Sequence, residues 1–205
     1  MAFGKDKVGS KKKLYFLIHK PYKILSQFTN EDGNKGLGSI YDLPKDVYPV
    51  GRLDLDSEGL LILSNDRTLN NRLLNPKRNH QRTYWVEVEG IPTVESLDKL
   101  KNGVTINING KKHLTKKAEA AIITPEVAER EPPVNYAKHP IRSWLEISLF
   151  EGKNRQVRRM TAKVGHPTLR LVRVAIENLN LGNLESGGIV QISEKNILKK
   201  LNISD

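Results

Sequence analysis

The sequence has no cysteine in 205 residues. That absence excludes disulfides, Cys-ligated zinc, iron–sulfur clusters and thiol nucleophiles. It fits a reducing compartment, and a cytoplasmic location is expected. No apolar run approaches the ~18–20 residues of a membrane helix. The longest strongly apolar stretches are Leu14 to Ile18 and Leu60 to Leu63. The first is too short for a signal-peptide core and stops at His19-Lys20-Pro21. Neither export nor a membrane partner is therefore expected. The five histidines are scattered, with no pair at metal-ligand spacing. The one glycine-rich stretch, Gly33 to Gly38, lacks the Lys-Ser/Thr of a phosphate-binding loop. Nucleotide cofactors are not indicated.

Positive charge is abundant. The formal net charge is +11, from 34 Lys and Arg against 23 Asp and Glu. The excess is clustered in residues 1–13, 71–82 and 141–173. Clusters beside turns and aromatics are the footprint of a surface that tracks phosphates. Residues 1–13, with five Lys and little to bury, read as a disordered basic tail. Residues 14–205 read as one domain.

Apolar alternation predicts strands at Leu14–Ile18, Tyr22–Phe28, Val47–Val50, Gly59–Ser64, Thr83–Glu89, Val104–Ile108, Ala118–Ile123, Arg142–Phe150, Leu169–Val174 and Leu179–Leu181. Along Thr83–Glu89, Tyr84, Val86 and Val88 share one face and Trp85, Glu87 and Glu89 the other. Capping residues predict helices after Asn65 or Asp66, after Thr93 and after Ser193, and a fourth spans Arg155–Val164. Residues 124–140 carry four prolines and read as a connection between two lobes. The pattern is α+β with a large, mainly antiparallel sheet.

Three clusters carry chemistry. Gly51-Arg52-Leu53-Asp54-Leu55-Asp56-Ser57-Glu58-Gly59 places three carboxylates within five residues. They could be turn-forming side chains, a hard-metal site, or one catalytic Asp with structural neighbours. Spacing alone leaves these open. Lys153, Arg155, Arg158 and Arg159 sit in a basic turn and helix, suited to phosphates or to gripping a carboxylate. Arg82-Thr83-Tyr84-Trp85 offers an aromatic on a basic strand, able to stack a base or to fill a core.

Together these residues resemble a known family. Gly51-Arg52-Leu53-Asp54-x-Asp56-Ser57-x-Gly59-Leu60-Leu61 resembles the signature of the RsuA-type pseudouridine synthases. Lys20-Pro21 with Leu25-Ser26-Gln27-Phe28-Thr29 resembles their opening strands. Glu151-Gly152-Lys153-Asn154-Arg155-Gln156-Val157-Arg158-Arg159-Met160 with Gly165-His166-Pro167 resembles their last motif. The chain is most similar to short members that lack an N-terminal S4-type domain and act on large-subunit rRNA. Two stretches depart from the pattern: Ser64-Asn65-Asp66-Arg67, and the basic Asn107–Lys117.

The resemblance implies a bent sheet in two lobes with a central cleft. It also implies an isomerase that needs no cofactor and no metal. Asp54 would be the essential carboxylate, Tyr84 the aromatic on the flipped base, and Arg158 the partner of Asp54. Arg52, Arg82, Lys153, Arg155 and Arg159 are candidate RNA contacts. The implied partner is large-subunit rRNA or a ribosome assembly intermediate, bound by a monomer. The competing readings are a metal-dependent nuclease or phosphatase, and a non-catalytic rRNA-binding assembly factor.

Overall fold

The computed structural model describes residues 12–203. Most of the basic tail, residues 1–11, lies outside the described residues. Its last two residues are tied down: Lys13 Nζ lies 2.7 Å from Glu194 and 3.3 Å from Asp66, and the Lys12 carbonyl accepts from Asn65.

In chain order the strands begin with β1 (Tyr15–Lys20), β2 (Ile24–Leu25), β3 (Lys35–Gly36), β4 (Tyr48–Val50), β5 (Glu58–Ser64) and β6 (Arg82–Glu89). They continue with β7 (Thr105–Ile108), β8 (Lys111–Leu114), β9 (Glu119–Ile123), β10 (Arg142–Leu149), β11 (Thr168–Ile176), β12 (Leu179–Asn180) and β13 (Ile189–Gln191). The α-helices are α1 (Arg67–Leu74), α2 (Val94–Asn102), α3 (Gln156–Lys163) and α4 (Glu194–Lys200).

One sheet runs β13-β1-β5-β11-β6-β10-β9, with β4 added on β5 and β12 on β11. Every pairing in it is antiparallel except β5 with β11. That parallel seam joins the two lobes. β5 is buried along its whole length, as expected of a strand covered on both faces. Leu60 and Ile62 face a core with α1 and α4, while Leu61 and Leu63 face a second core with Leu37, Tyr41 and Val47. A third core lies in the other lobe, where Val86, Val88, Leu145 and Ile147 meet Leu100 and Met160.

Three helix starts follow their caps. Asp66 accepts from Thr68 N–H, Thr93 from Ser96 N–H, and Ser193 from Asn196 N–H. Two expectations do not hold, and one element was not anticipated. The strand over Tyr22–Phe28 shrinks to the two residues of β2. Lys23 turns left-handed (φ 57°), and the Ser26 hydroxyl accepts from Leu53 N–H and donates to Leu53 C=O. This segment therefore braces the acidic loop instead of extending the sheet. The β7–β8 hairpin was not anticipated, although Asn109-Gly110, both at positive φ, is a strong hairpin-turn dipeptide. Residues 124–140 do not join the two lobes but link the neighbouring strands β9 and β10, over the sheet face on which Glu87 is buried. The 124–140 connection crosses that face of the sheet, held by Arg170 Nη1 donating to Ala128 O and by Arg142 stacked on Tyr136.

The seam depends on Gly59. Its φ is +104°, and a Cβ there would sit 2.3 Å from the backbone O of Arg173 and 2.7 Å from its N. Backbone in a sheet ladder cannot yield cheaply. Gly59→Ala is expected to cost about 3 kcal/mol through strain and overpacking. Thermal unfolding followed by circular dichroism should show a midpoint about 6–12 °C lower.

Candidate active site

The acidic loop joins β4 to β5, the strand that forms the seam with β11. Ser57 N–H closes it on Asp54 O at 3.0 Å, and Ser26 holds Leu53 from below. Leu53 is buried, Asp54 and Asp56 are half-buried, and Asp54 lines the large cleft between the lobes. That cleft encloses about 890 Å³ and is lined by Arg52, Asp54, Tyr84, Lys153, Arg155 and Arg173, among others. The two lobes thus bring together residues that are separated by more than a hundred positions.

Glu58, the last carboxylate of the loop, points away from the others. Its two oxygens accept from Arg170 Nε and Nη2 at 2.8 and 2.9 Å, and both side chains are buried. Among the described residues, no group of three or more His, Asp or Glu side chains is placed to hold a metal ion. The three-carboxylate arrangement of the nuclease reading therefore does not form.

The cationic side of the site is ordered by α3. Arg155 precedes α3 in a left-handed conformation (φ 51°), which turns its side chain back over the loop. Its guanidinium grips Asp56 with two hydrogen bonds of 2.8 and 2.7 Å, and Nη1 lies 3.7 Å from Asp54 Oδ2. The expected Arg158–Asp54 pair is replaced by a different one. Arg158 Nη2 donates to the Asp56 carbonyl at 2.6 Å, Nε lies 3.4 Å from Asp56 Oδ2, and Nη1 donates to Thr168 O. Arg158 starts inside the helix and emerges behind Asp56, so Arg155 is the arginine that reaches Asp54.

Burial works against ionisation of Asp56, but the Arg155 hydrogen bonds and the charges of Arg158 and Arg155 outweigh it and hold its pKa below the usual range. Burial lowers the pKa of Arg158. Beneath the loop, Lys20 is fully buried and donates to Pro21 O and Ile24 O. Burial pulls its pKa down to about 8, against the attraction of Glu58, Asp56 and Asp54.

The other candidate RNA contacts divide into two groups. Arg52 and Lys153 are exposed at the cleft, and their side chains have no hydrogen-bond or ion-pair partner among the described residues. Arg155, Arg159 and Arg82 are already engaged within the protein. Arg159 donates to Asn107 O and Asn154 Oδ1, tying α3 to the β7 strand. Arg82 donates to His80 O and Leu73 O, closing the loop after α1.

Tyr84 is half-buried, packed on the core beneath α3 and lining the cleft. It lies across the ladder from Arg173 of β11. Arg173 went unnoticed in the sequence. An arginine within the apolar run of β11 was the available signal, because arginine is rarely fully buried without a partner.

The sequence model of the RNA pseudouridylate synthase family matches residues 14–163. A protein of Vibrio parahaemolyticus named ribosomal large subunit pseudouridine synthase E is 45% identical over 185 residues, 90% of this chain and 76% of that one. A protein of the same name from Xanthomonas axonopodis pv. citri is 47% identical over 171 residues, 82% of this chain and 88% of that one. Among solved structures, a pseudouridylate synthase aligns with a TM-score of 0.75 at 24% identity, covering 94% of this chain and 75% of the other. The fold is shared with that structure, and the similarity runs across both lobes and the acidic loop between them. The chain belongs to the RNA pseudouridylate synthase family.

Proposed function

We propose that this pseudouridine synthase isomerises a uridine of large-subunit rRNA, with Asp54 as the essential carboxylate. The observation that carries this reading is the placement of Asp54 on a braced loop at a cleft whose wall holds Tyr84. The named relatives at 45–47% identity support the large-subunit target. The enzyme works in the cytoplasm as a monomer, on free rRNA or on an assembly intermediate.

The chemistry needs no oxidant and no energy source. The C1′–N1 bond breaks, the uracil turns, and C5 bonds to C1′. C5 then loses its proton and N1 regains one. A carboxylate serves by attacking the sugar carbon or by removing a sugar proton as the base leaves. The target must first leave its stack, and the cleft is large enough to receive it. Tyr84 then offers a ring to the flipped base. Arg155 and Arg158 lock Asp56 and with it the loop, so Asp54 is presented without rearrangement.

Transcripts of large- and small-subunit rRNA labelled with 5-tritiated uridine distinguish the targets. Tritium should be released from the large-subunit transcript alone. Equal release from both, or none from the large, would contradict the assignment. Binding should also be salt-sensitive, because Arg52, Lys153, Lys77 and Arg78 all project into solvent. Contact with about five phosphates gives a log–log salt slope of roughly −3.5 for a single-stranded target. A slope near zero in filter-binding titrations would exclude this mode.

A further inference from the structure

We propose that Arg173 is a catalytic residue that donates from Nη1 to a carbonyl oxygen of the flipped uracil and stabilises the base as it departs. The inference rests on the pseudouridine synthase reading of the Asp54 cleft.

Three observations carry it. First, Arg173 is buried and lines the same cleft as Asp54 and Tyr84. Second, its donors are only partly used: Nε donates to Leu60 O at 2.8 Å and the Tyr84 hydroxyl lies against the guanidinium, while Nη1, unlike the closed-off Nη2, keeps access to the cleft without a carboxylate or carbonyl partner among the described residues. Third, its charge is uncompensated. The groups acting on it are Tyr84 and Arg82, and it forms no ion pair among the described residues.

The neighbouring Arg170 shows the contrast. It is three residues away on the same strand and equally buried, yet it is fully matched by Glu58. A buried guanidinium without a carboxylate is costly, and burial lowers its pKa. Such a group is suited to a site where negative charge appears only during reaction.

The reaction supplies that charge. When C1′–N1 breaks, its electron pair stays on the uracil and spreads over N1, O2 and O4. The negative charge persists until C5 bonds to C1′, C5 releases its proton and N1 is protonated. Tyr84 lies across the ladder from Arg173 and beside its guanidinium. A base resting on that ring would bring a carbonyl oxygen toward Nη1. A donor fixed in a dry pocket acts on such an anion without reorganising. The strand seam fixes Arg173 in turn, because its backbone sits against Gly59 too closely for any side chain there.

The test is single-turnover tritium release from the large-subunit transcript, using the full chain. Arg173→Met keeps the length and the apolar packing but removes the donor and the charge. Its rate constant should fall about 100-fold, the usual loss for one preorganised donor. RNA affinity should stay within about threefold, because Met removes an interaction made chiefly in the transition state. Arg173→Lys keeps the charge and should retain at least about a tenth of the wild-type rate on the same argument.

A Met variant within threefold of wild type would overturn the proposal. So would a Lys variant as slow as the Met variant with an unchanged melting curve. If the Met variant does not fold, the Lys variant decides alone, and less than a tenth of the wild-type rate overturns the proposal. Asp54→Asn in the same assay separates the two readings. An inactive Asp54→Asn beside a fully active Arg173→Met rejects only the role of Arg173. An active Asp54→Asn rejects the site itself.

Discussion

Asp54→Asn should form no detectable pseudouridine, a loss of at least about 10³-fold, while the protein folds and binds RNA as before. The amide keeps the size of the side chain and removes the charge and the nucleophilic oxygen. Little of the fold depends on that carboxylate. Ser57 N–H bonds to the Asp54 backbone carbonyl, and the Arg155 contact at 3.7 Å is half-exposed and weak. Asp56→Asn is expected to be damaging in a different way. It weakens the two-pronged Arg155 grip and removes the charge facing Arg158, whose bonds to the Asp56 and Thr168 carbonyls remain, so the loop loosens and turnover falls only partly. Single-turnover rates beside RNA dissociation constants separate the two. Comparable, complete loss in both variants would contradict the division of labour between Asp54 and Asp56.

Glu58→Ala should cost about 3–5 kcal/mol of stability, because it strands Arg170 without its counter-ion in a buried site. The unfolding midpoint should drop by about 6–20 °C in a calorimetric scan. The effect should reach beyond the pair, since Arg170 also fastens the 124–140 connection through Ala128 O. Replacing both residues with Met removes the buried charges together. It should recover most of the loss, as paired replacements of buried ion pairs often do. A Glu58→Ala protein that melts within 2 °C of wild type would show that the pair contributes little.

The division between what could be read from the sequence and what could not follows the physics of each feature. β5 and α1 were legible because local patterns specify them: an apolar run ending at Ser64, then an Asp66 cap with Leu69 and Leu73 on one face. The acidic loop was legible as a motif, and the family assignment followed from it. The pairing inside the site was not legible. Arg155 and Arg158 lie three residues apart, and which of them meets Asp54 depends on the left-handed turn of Arg155, which no periodicity reports. The burial of Glu87 was not legible, because alternation assigns a residue to a face of the strand and cannot foresee a proline-rich strap covering that face. Arg173 looked like one more basic residue in a basic region. Only the three-dimensional contrast with Arg170 shows that it is unpaired.

The most direct measurement is nucleotide-resolution pseudouridine mapping of rRNA from cells lacking this protein, complemented with the wild type or with Asp54→Asn. The account predicts that one large-subunit uridine stays unmodified without the protein, becomes pseudouridine with the wild type, and stays unmodified with Asp54→Asn. Restoration of the modification by Asp54→Asn, or an unchanged large-subunit map in its absence, would contradict it.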